Sequence, residues 1–306
     1  MKRALTVLLV ALAVSVLLTP TFAAYTYNWY TGFEPPKYTT GPLANTPVHT
    51  LGQDGWFLAD NPSYVDEVPM DVVAGAGRNG SAGVVQRNGH SAAARDMTVL
   101  NYGATYQWGR AKFWVYDPGY DPAQGLVDAR VGIYGAQGEN NIGKMATAQI
   151  QDVSSRDPNY WWAQWSYSVG KMDGATPIAG QPGFTFTQGL AAPRVWGAWS
   201  YVMLTWAFTY TVPHNPGSGG TGVINWFVNQ QSVSPNLTLN FDSSTTRWGN
   251  FHEVKGIFMG TGMTTASNSR PAAYDDFEFY ITPEPSGLLA LGGGLIGLLG
   301  LIRRRR

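Results

Sequence analysis

Apolar residues in the body of this chain recur with period two, and no segment there sustains a period near 3.6. In residues 111–116, Ala111, Phe113 and Val115 share one face of an extended strand, and Arg110, Lys112, Trp114 and Tyr116 share the other. Residues 127–135 repeat the pattern, with Val127, Ala129, Val131 and Ile133 opposite Asp128, Arg130 and Tyr134. Residues 160–169 set Trp161, Ala163, Trp165, Tyr167 and Val169 against Tyr160, Trp162, Gln164, Ser166 and Ser168. Further strands are expected over 199–210, 223–229, 254–259 and 276–281. Turn-forming runs separate them: Asp117-Pro118-Gly119, and residues 135–143, 170–183 and 213–222. The run 212–222 reads as a hairpin tip. Many short strands without intervening helices predict an all-β fold, an antiparallel sandwich.

The two ends of the 306-residue chain differ from this body. Lys2 and Arg3 precede an apolar stretch, 4–18, and a small-residue site near Ala23, the layout of a signal peptide over 1–23. The alternative is an uncleaved signal anchor. At the other end, Pro283-Glu284-Pro285 is followed by an apolar run, 287–302, and by Arg303, Arg304, Arg305 and Arg306. Those 16 residues would span about 24 Å as a helix, against a hydrocarbon core of about 30 Å. The four arginines hold the end on the cytoplasmic side.

Six of the 20 basic residues lie in these ends, whereas all 20 acidic residues lie in 24–286. The middle therefore carries 14 basic against 20 acidic residues, a net charge near −6, which argues against nucleic acid as a partner. Cysteine is absent, which excludes thiol catalysis and zinc–thiolate sites.

The order of motif, apolar segment and arginine cluster resembles the PEP-CTERM sorting signal of exported bacterial proteins. The resemblance covers residues 283–306. It implies that a membrane-embedded exosortase recognises Pro283, Glu284 and Pro285 and removes the tail, after a transient membrane anchorage through a hydrophobic helix over 287–302. An ordinary C-terminal anchor is the other reading. The expected localisation is the cell surface or extracellular matrix.

A second resemblance spans residues 27–282 of the body, whose domain is expected over 24–282. Gly32-Phe33-Glu34, Tyr38, Gly41, Leu43, Gly52 and Gly55-Trp56 open it, and Tyr274-Asp275-Asp276-Phe277-Glu278-Phe279-Tyr280 closes it. These ends look like those of concanavalin A-like jelly rolls, including laminin-G-like domains. The fold implied is a jelly-roll β-sandwich whose first and last strands lie side by side. Such pairing would bring Glu34, Asp275 and Asp276 together, and similar jelly rolls often carry a structural calcium there. The alternative leaves the two aspartates in solvent and Glu34 paired with a base.

Tyr160, Trp162 and Gln164 could form a sugar platform, since aromatic faces cover pyranose C–H groups and an amide orients hydroxyls. Trp114 and Tyr116, with Arg110 and Lys112, offer a second such face, to which Asp128, Arg130 and Tyr134 are expected to belong on a neighbouring strand. Ordinary sheet packing is the competing account of both.

No catalytic residues are expected. The two-glutamate motif of this fold's glucanases is missing, and the six glutamates are not paired at that spacing. His49, His90, His214 and His252 show no ligand spacing. Residues 75–80, Gly-Ala-Gly-Arg-Asn-Gly, resemble a phosphate loop but lack its lysine–hydroxyl pair, and are read as a turn. A non-enzymatic polysaccharide binder, a structural matrix protein and a divergent glycosidase or lyase remain as functional readings.

Overall fold

The computed structural model describes residues 27–47, 50–58, 67–87, 90–97, 106–119, 127–135, 144–151, 165–171, 192–210, 220–232, 237–241, 254, 256–260 and 270–283. In chain order the strands are β1 (Tyr27–Thr31), β2 (Gly41–Pro42), β3 (Trp56–Leu58), β4 (Glu67–Val68), β5 (Asp71–Val73) and β6 (Gly83–Val85). Then come β7 (His90–Asp96), β8 (Tyr106–Asp117), β9 (Asp128–Gly135), β10 (Lys144–Gln151), β11 (Ser166–Lys171) and β12 (Ala198–Tyr210). The last are β13 (Gly220–Val228), β14 (Gln231–Ser232), β15 (Leu237–Phe241), β16 (Gly256–Gly260) and β17 (Ala273–Pro283). Two compact units divide the chain: Thr26–Thr282, and the terminal segments Met1–Tyr25 with Pro283–Arg306. The signal peptide, Glu284, Pro285 and the apolar run 287–302 lie outside the described residues. Among the described residues no helix is long and apolar enough to cross a membrane.

The strands form two sheets. A ten-stranded sheet runs β14-β13-β12-β8-β17-β6-β5-β2, with β1 also on β17 and β15 also on β13. A seven-stranded sheet runs β11-β10-β9-β16-β7-β3, with β4 joined to β7. Among the strand registers described, all are antiparallel except β4 with β7. One core lies between the sheets. It takes Ala111, Phe113, Val115, Val202, Leu204, Trp206, Phe277 and Phe279 from the larger sheet, and Val131, Ile133, Ile257 and Met259 from the smaller. The fold is an all-β sandwich.

Period-two reading holds on the larger sheet. Ala111, Phe113 and Val115 are fully buried, while Arg110, Lys112, Trp114 and Tyr116 face outward and are half-buried. The hairpin expected around 212–222 is the β12–β13 pair, with Tyr210 opposite Gly220. The smaller sheet departs from the simple alternation. Val127, Ala129, Val131 and Ile133 are buried as expected, but so are Arg130 and Tyr134 on the opposite face. There Phe57, Ala92, Ala94, Tyr134 and Phe258 make a second apolar cluster. A Cβ on Gly256, which pairs with Tyr134, would lie 2.6 Å from the tyrosine ring and 2.2 Å from the Arg95 carbonyl. Glycine here leaves room for the ring against the strand.

The first and last strands are neighbours: Tyr27 pairs with Ile281 and Thr31 with Phe277. At its other end β17 pairs with β6, through Ala273–Val85 and Tyr274–Val84. Between the two partners, Asp276 adopts φ +49° and breaks the alternation, so that Tyr274 and Phe277, three positions apart, both reach the core. Phe277 is the hub of an aromatic cluster. Ring centroids lie 4.9 Å away at Phe113, 5.5 Å at Phe33 and 5.9 Å at Trp56, all in edge-to-face geometry. The opening residues Phe33, Tyr38 and Trp56 thus form the pocket that receives the closing strand. The Tyr38 hydroxyl donates to Asp54 at 2.8 Å, and Gly52 lacks the Cβ that would strike the Leu43 carbonyl at 2.3 Å.

Truncating Phe277 to alanine removes a ring at the centre of three others. We expect a loss of about 3–5 kcal/mol in urea unfolding. A loss under about 1 kcal/mol would show that the cluster is not what holds β17 in place.

Candidate functional site

The outer face of the larger sheet is where chemistry-bearing side chains gather with partial exposure. Register aligns them in rungs: Tyr116 opposite Trp199, Trp114 opposite Tyr201, Lys112 opposite Met203. Tyr116 and Trp199 have ring centroids 5.6 Å apart at 55°, and Trp114 and Tyr201 are 5.3 Å apart at 56°. On the other flank of β8 stands β17, whose outward residues are Asp276, Glu278 and Tyr280. Glu278 receives Arg110 at 2.8 Å on one oxygen and Lys112 at 2.7 Å on the other. Burial works against its charge, but the hydrogen bonds and charges of Lys112 and Arg110 outweigh it and hold the carboxyl below its usual range. Tyr280 receives the Arg110 guanidinium 5.2 Å from its ring and the Trp108 ring edge-on at 5.7 Å.

Trp114 is not an open platform. The Arg78 guanidinium stacks on it, 3.6 Å from the ring centroid, and pairs with Asp276 at 2.5 Å. Tyr30 donates to the other Asp276 oxygen at 2.6 Å, and this bond pushes the tyrosine pKa up to about 12. Arg78 opens the short turn Arg78–Gly80, within the stretch that sequence reads as a turn. The Arg78 N–H donates to a carboxylate, Asp275, at 2.8 Å.

The calcium expectation meets a different arrangement. The left-handed Asp276 brings both aspartates to Arg78, where strict alternation would point them to opposite faces. Asp275 is buried and accepts from the Arg78 N–H, the Ser81 hydroxyl and the Asp276 N–H, each at 2.8 Å. Burial raises its pKa, with those three bonds opposing the rise. Glu34 accepts from the Ala82 N–H at 2.7 Å. Hydrogen-bond donors take up both aspartates and one oxygen of Glu34, and the guanidinium supplies positive charge where a hard cation would. Among the described residues no group of three His, Cys, Asp or Glu is arranged to hold a metal. These residues do not fit a calcium ion.

Tyr160, Trp162 and Gln164 lie outside the described residues. The expectation that Asp128, Arg130 and Tyr134 extend the Trp114 face needs correction. Their strand, β9, belongs to the smaller sheet, while β8 has β12 and β17 as neighbours. Trp199 and Tyr201, which do extend that face, were legible as alternating aromatics in Ala198-Trp199-Ser200-Tyr201. At the same end of the β8–β12 pair, Trp196 is half exposed and packs over Gly119, where a Cβ would meet it at 2.9 Å. Its loop is held by Arg194, which makes a fully buried two-pronged pair with Asp117 at 2.7 and 2.8 Å. Only the fold brings Arg194 and Arg78 to their partners.

No family model matches this chain, and neither does any curated protein. Among solved structures it is similar to the alginate lyase Aly36B, seen as a mutant in complex with alginate tetrasaccharide (TM-score 0.42, 16% identity, 82% of this chain and 96% of that one). It is also similar to the PL-14 alginate lyase from Aplysia kurodai (TM-score 0.43, 10% identity, 84% and 98%). The CBM2 module of the Lactobacillus casei BL23 phage J-1 evolved Dit gives TM-score 0.42 at 11% identity, over 85% and 98%. At these scores no activity or ligand carries over.

Two outcomes follow for this site. EDTA should leave the melting temperature unchanged and added calcium should not raise it; stabilisation of several degrees by calcium would contradict the guanidinium account. Because Glu278 has a lowered folded pKa, its contribution is present above the unfolded value near 4.5 and lost as pH falls through the folded one. The melting-temperature gap between wild type and Glu278→Gln should therefore be widest near neutral pH and shrink below about pH 4.5. A gap independent of pH would show that the carboxylate charge is irrelevant to it.

Proposed function

We propose that this is an exported cell-surface or matrix protein whose domain, a concanavalin A-like jelly roll, binds extracellular polysaccharide on the outer face of its larger sheet. The observation that carries the reading is the contrast between the two sheets. The smaller sheet buries Phe57, Tyr134 and Phe258 on its outer face, whereas the larger leaves Tyr116, Trp199 and Tyr201 half exposed beside charged groups. Aromatic rings interleaved with fixed hydrogen-bonding groups suit a sugar, which has an apolar C–H face and a polar rim. Trp196 extends the strip at one end.

Binding without cleavage is the favoured role. A glycosidase acid needs a carboxyl with a raised pKa, and Glu278, at the centre of the face, is shifted the other way. Export rests on the two ends of the sequence: a signal peptide delivers the chain, and an exosortase acting at Pro283, Glu284 and Pro285 releases it from a transient membrane anchor.

The test is retention of the purified protein on immobilised polysaccharides, with assays for new reducing or unsaturated ends. We expect retention that falls at least about tenfold in a Trp199→Ala/Tyr201→Ala double variant that still melts cooperatively, without product release. Unchanged retention in that variant would remove this face as the site, and released oligosaccharides would make the protein an enzyme.

A further inference from the structure

We infer that the polysaccharide bound on this face is neutral, recognised through stacking and hydroxyl hydrogen bonds, and is not a polyanion. The inference rests on the binding role proposed above and assigns its ligand class. A site for uronate or sulfate groups needs cations with free charge, as a guanidinium or ammonium meets an anion by displacing its water. Among the described residues, the cations on β8 and beside Trp114 each already have a carboxylate, and Arg270, at the Trp196 end, donates to the Gly119 carbonyl at 2.8 Å. Arg110 and Lys112 share Glu278, one on each oxygen. Arg78 is spent on Asp276, with one face of its guanidinium also on Trp114 and its N–H on Asp275. Arg194, near the Trp196 end, is fully buried with Asp117.

Three outward cations, Arg78, Arg110 and Lys112, therefore stand against two outward carboxylates, Asp276 and Glu278, with the buried Asp275 behind Arg78, so each of the three is held directly against a carboxylate. An incoming carboxylate would meet Glu278 or Asp276 as a like charge beside every cation it approached. The surroundings reinforce this, since residues 24–286 carry 14 basic against 20 acidic residues. A hydroxyl suffers no such conflict. Ion-paired arginine and lysine retain N–H groups that donate to it, and ion-paired carboxylates retain lone pairs that accept from it. The pairs also fix those groups in place, so little side-chain entropy is lost on binding.

The experiment compares the full protein on neutral glucans, galactans, mannans and xylans with alginate and a sulfated galactan, between about 20 and about 500 mM NaCl. We expect retention on a neutral glycan that changes less than about twofold across that range, since no counterions are released. A Glu278→Gln variant frees two cations and should gain at least about fivefold retention on alginate at low salt, lost at high salt. If that variant does not fold, the salt series on the wild-type chain decides alone. Salt-sensitive retention of wild type on alginate, reduced in the Trp199→Ala/Tyr201→Ala variant, would overturn the neutral-ligand inference and leave the binding face standing. Retention on none of the polysaccharides would overturn both.

Discussion

The structure depends on the last strand of the domain closing into the middle of the larger sheet. β17 has β8 on one side and, on the other, β6 followed by β1. Its inward residues Phe277, Phe279 and Ile281 are buried, each stabilising the core by about 1.5–3 kcal/mol. Its outward residues Asp276, Glu278 and Tyr280 anchor Arg78, Tyr30, Arg110 and Lys112. One strand thus completes the core and organises the surface. The closure is also strongly non-local, since Tyr30 and Asp276 lie 246 positions apart, and contacts of that range carry a large loop-closure cost.

The hand-over of β17 from β6 to β1 leaves a gap in the ladder, and the Asp275–Asp276 bulge fills it. A left-handed aspartate costs about 1–2 kcal/mol relative to an extended one. The hydrogen bonds from Arg78, Ser81 and Tyr30 offset that cost. The same guanidinium lies over Trp114, so the bulge that closes the sandwich also sets which aromatics of the outer face stay open. Fold and candidate site meet at Arg78.

Sequence reading succeeded where side-chain alternation is set by a single buried face, as in β8, where Phe113 is fully buried and Lys112 is not. It also anticipated that β1 and β17 pair, through the likeness of Phe33-Glu34 and Asp275-Asp276-Phe277 to the ends of known jelly rolls. It did not anticipate β7, whose Ala92, Ala93 and Ala94 have weak strand propensity. Ala92 and Ala94 lie with Phe57 and Phe258 in the outer cluster, and Ala93 lies in the core between the sheets. Nor could alternation foresee that Arg130 and Tyr134 are buried, since burial on both faces depends on what packs outside the sheet. The three carboxylates looked like a cation site because charge repulsion was visible in the sequence, while the approach of Arg78 to Asp275 and Asp276, 197 and 198 positions away, was not. Trp199 and Tyr201 carried a readable pattern, but which strand lies beside β8 is a fact of topology.

The central claim is that the outer face of the larger sheet, along β8 and β12, receives the sugar. A crystal structure of the protein with a bound oligosaccharide tests it most directly. The account predicts a pyranose ring against Trp199 or Tyr201, with a hydroxyl hydrogen-bonded within the Arg110–Lys112–Glu278 group. A sugar seated on the smaller sheet, or on loops away from these residues, would contradict it.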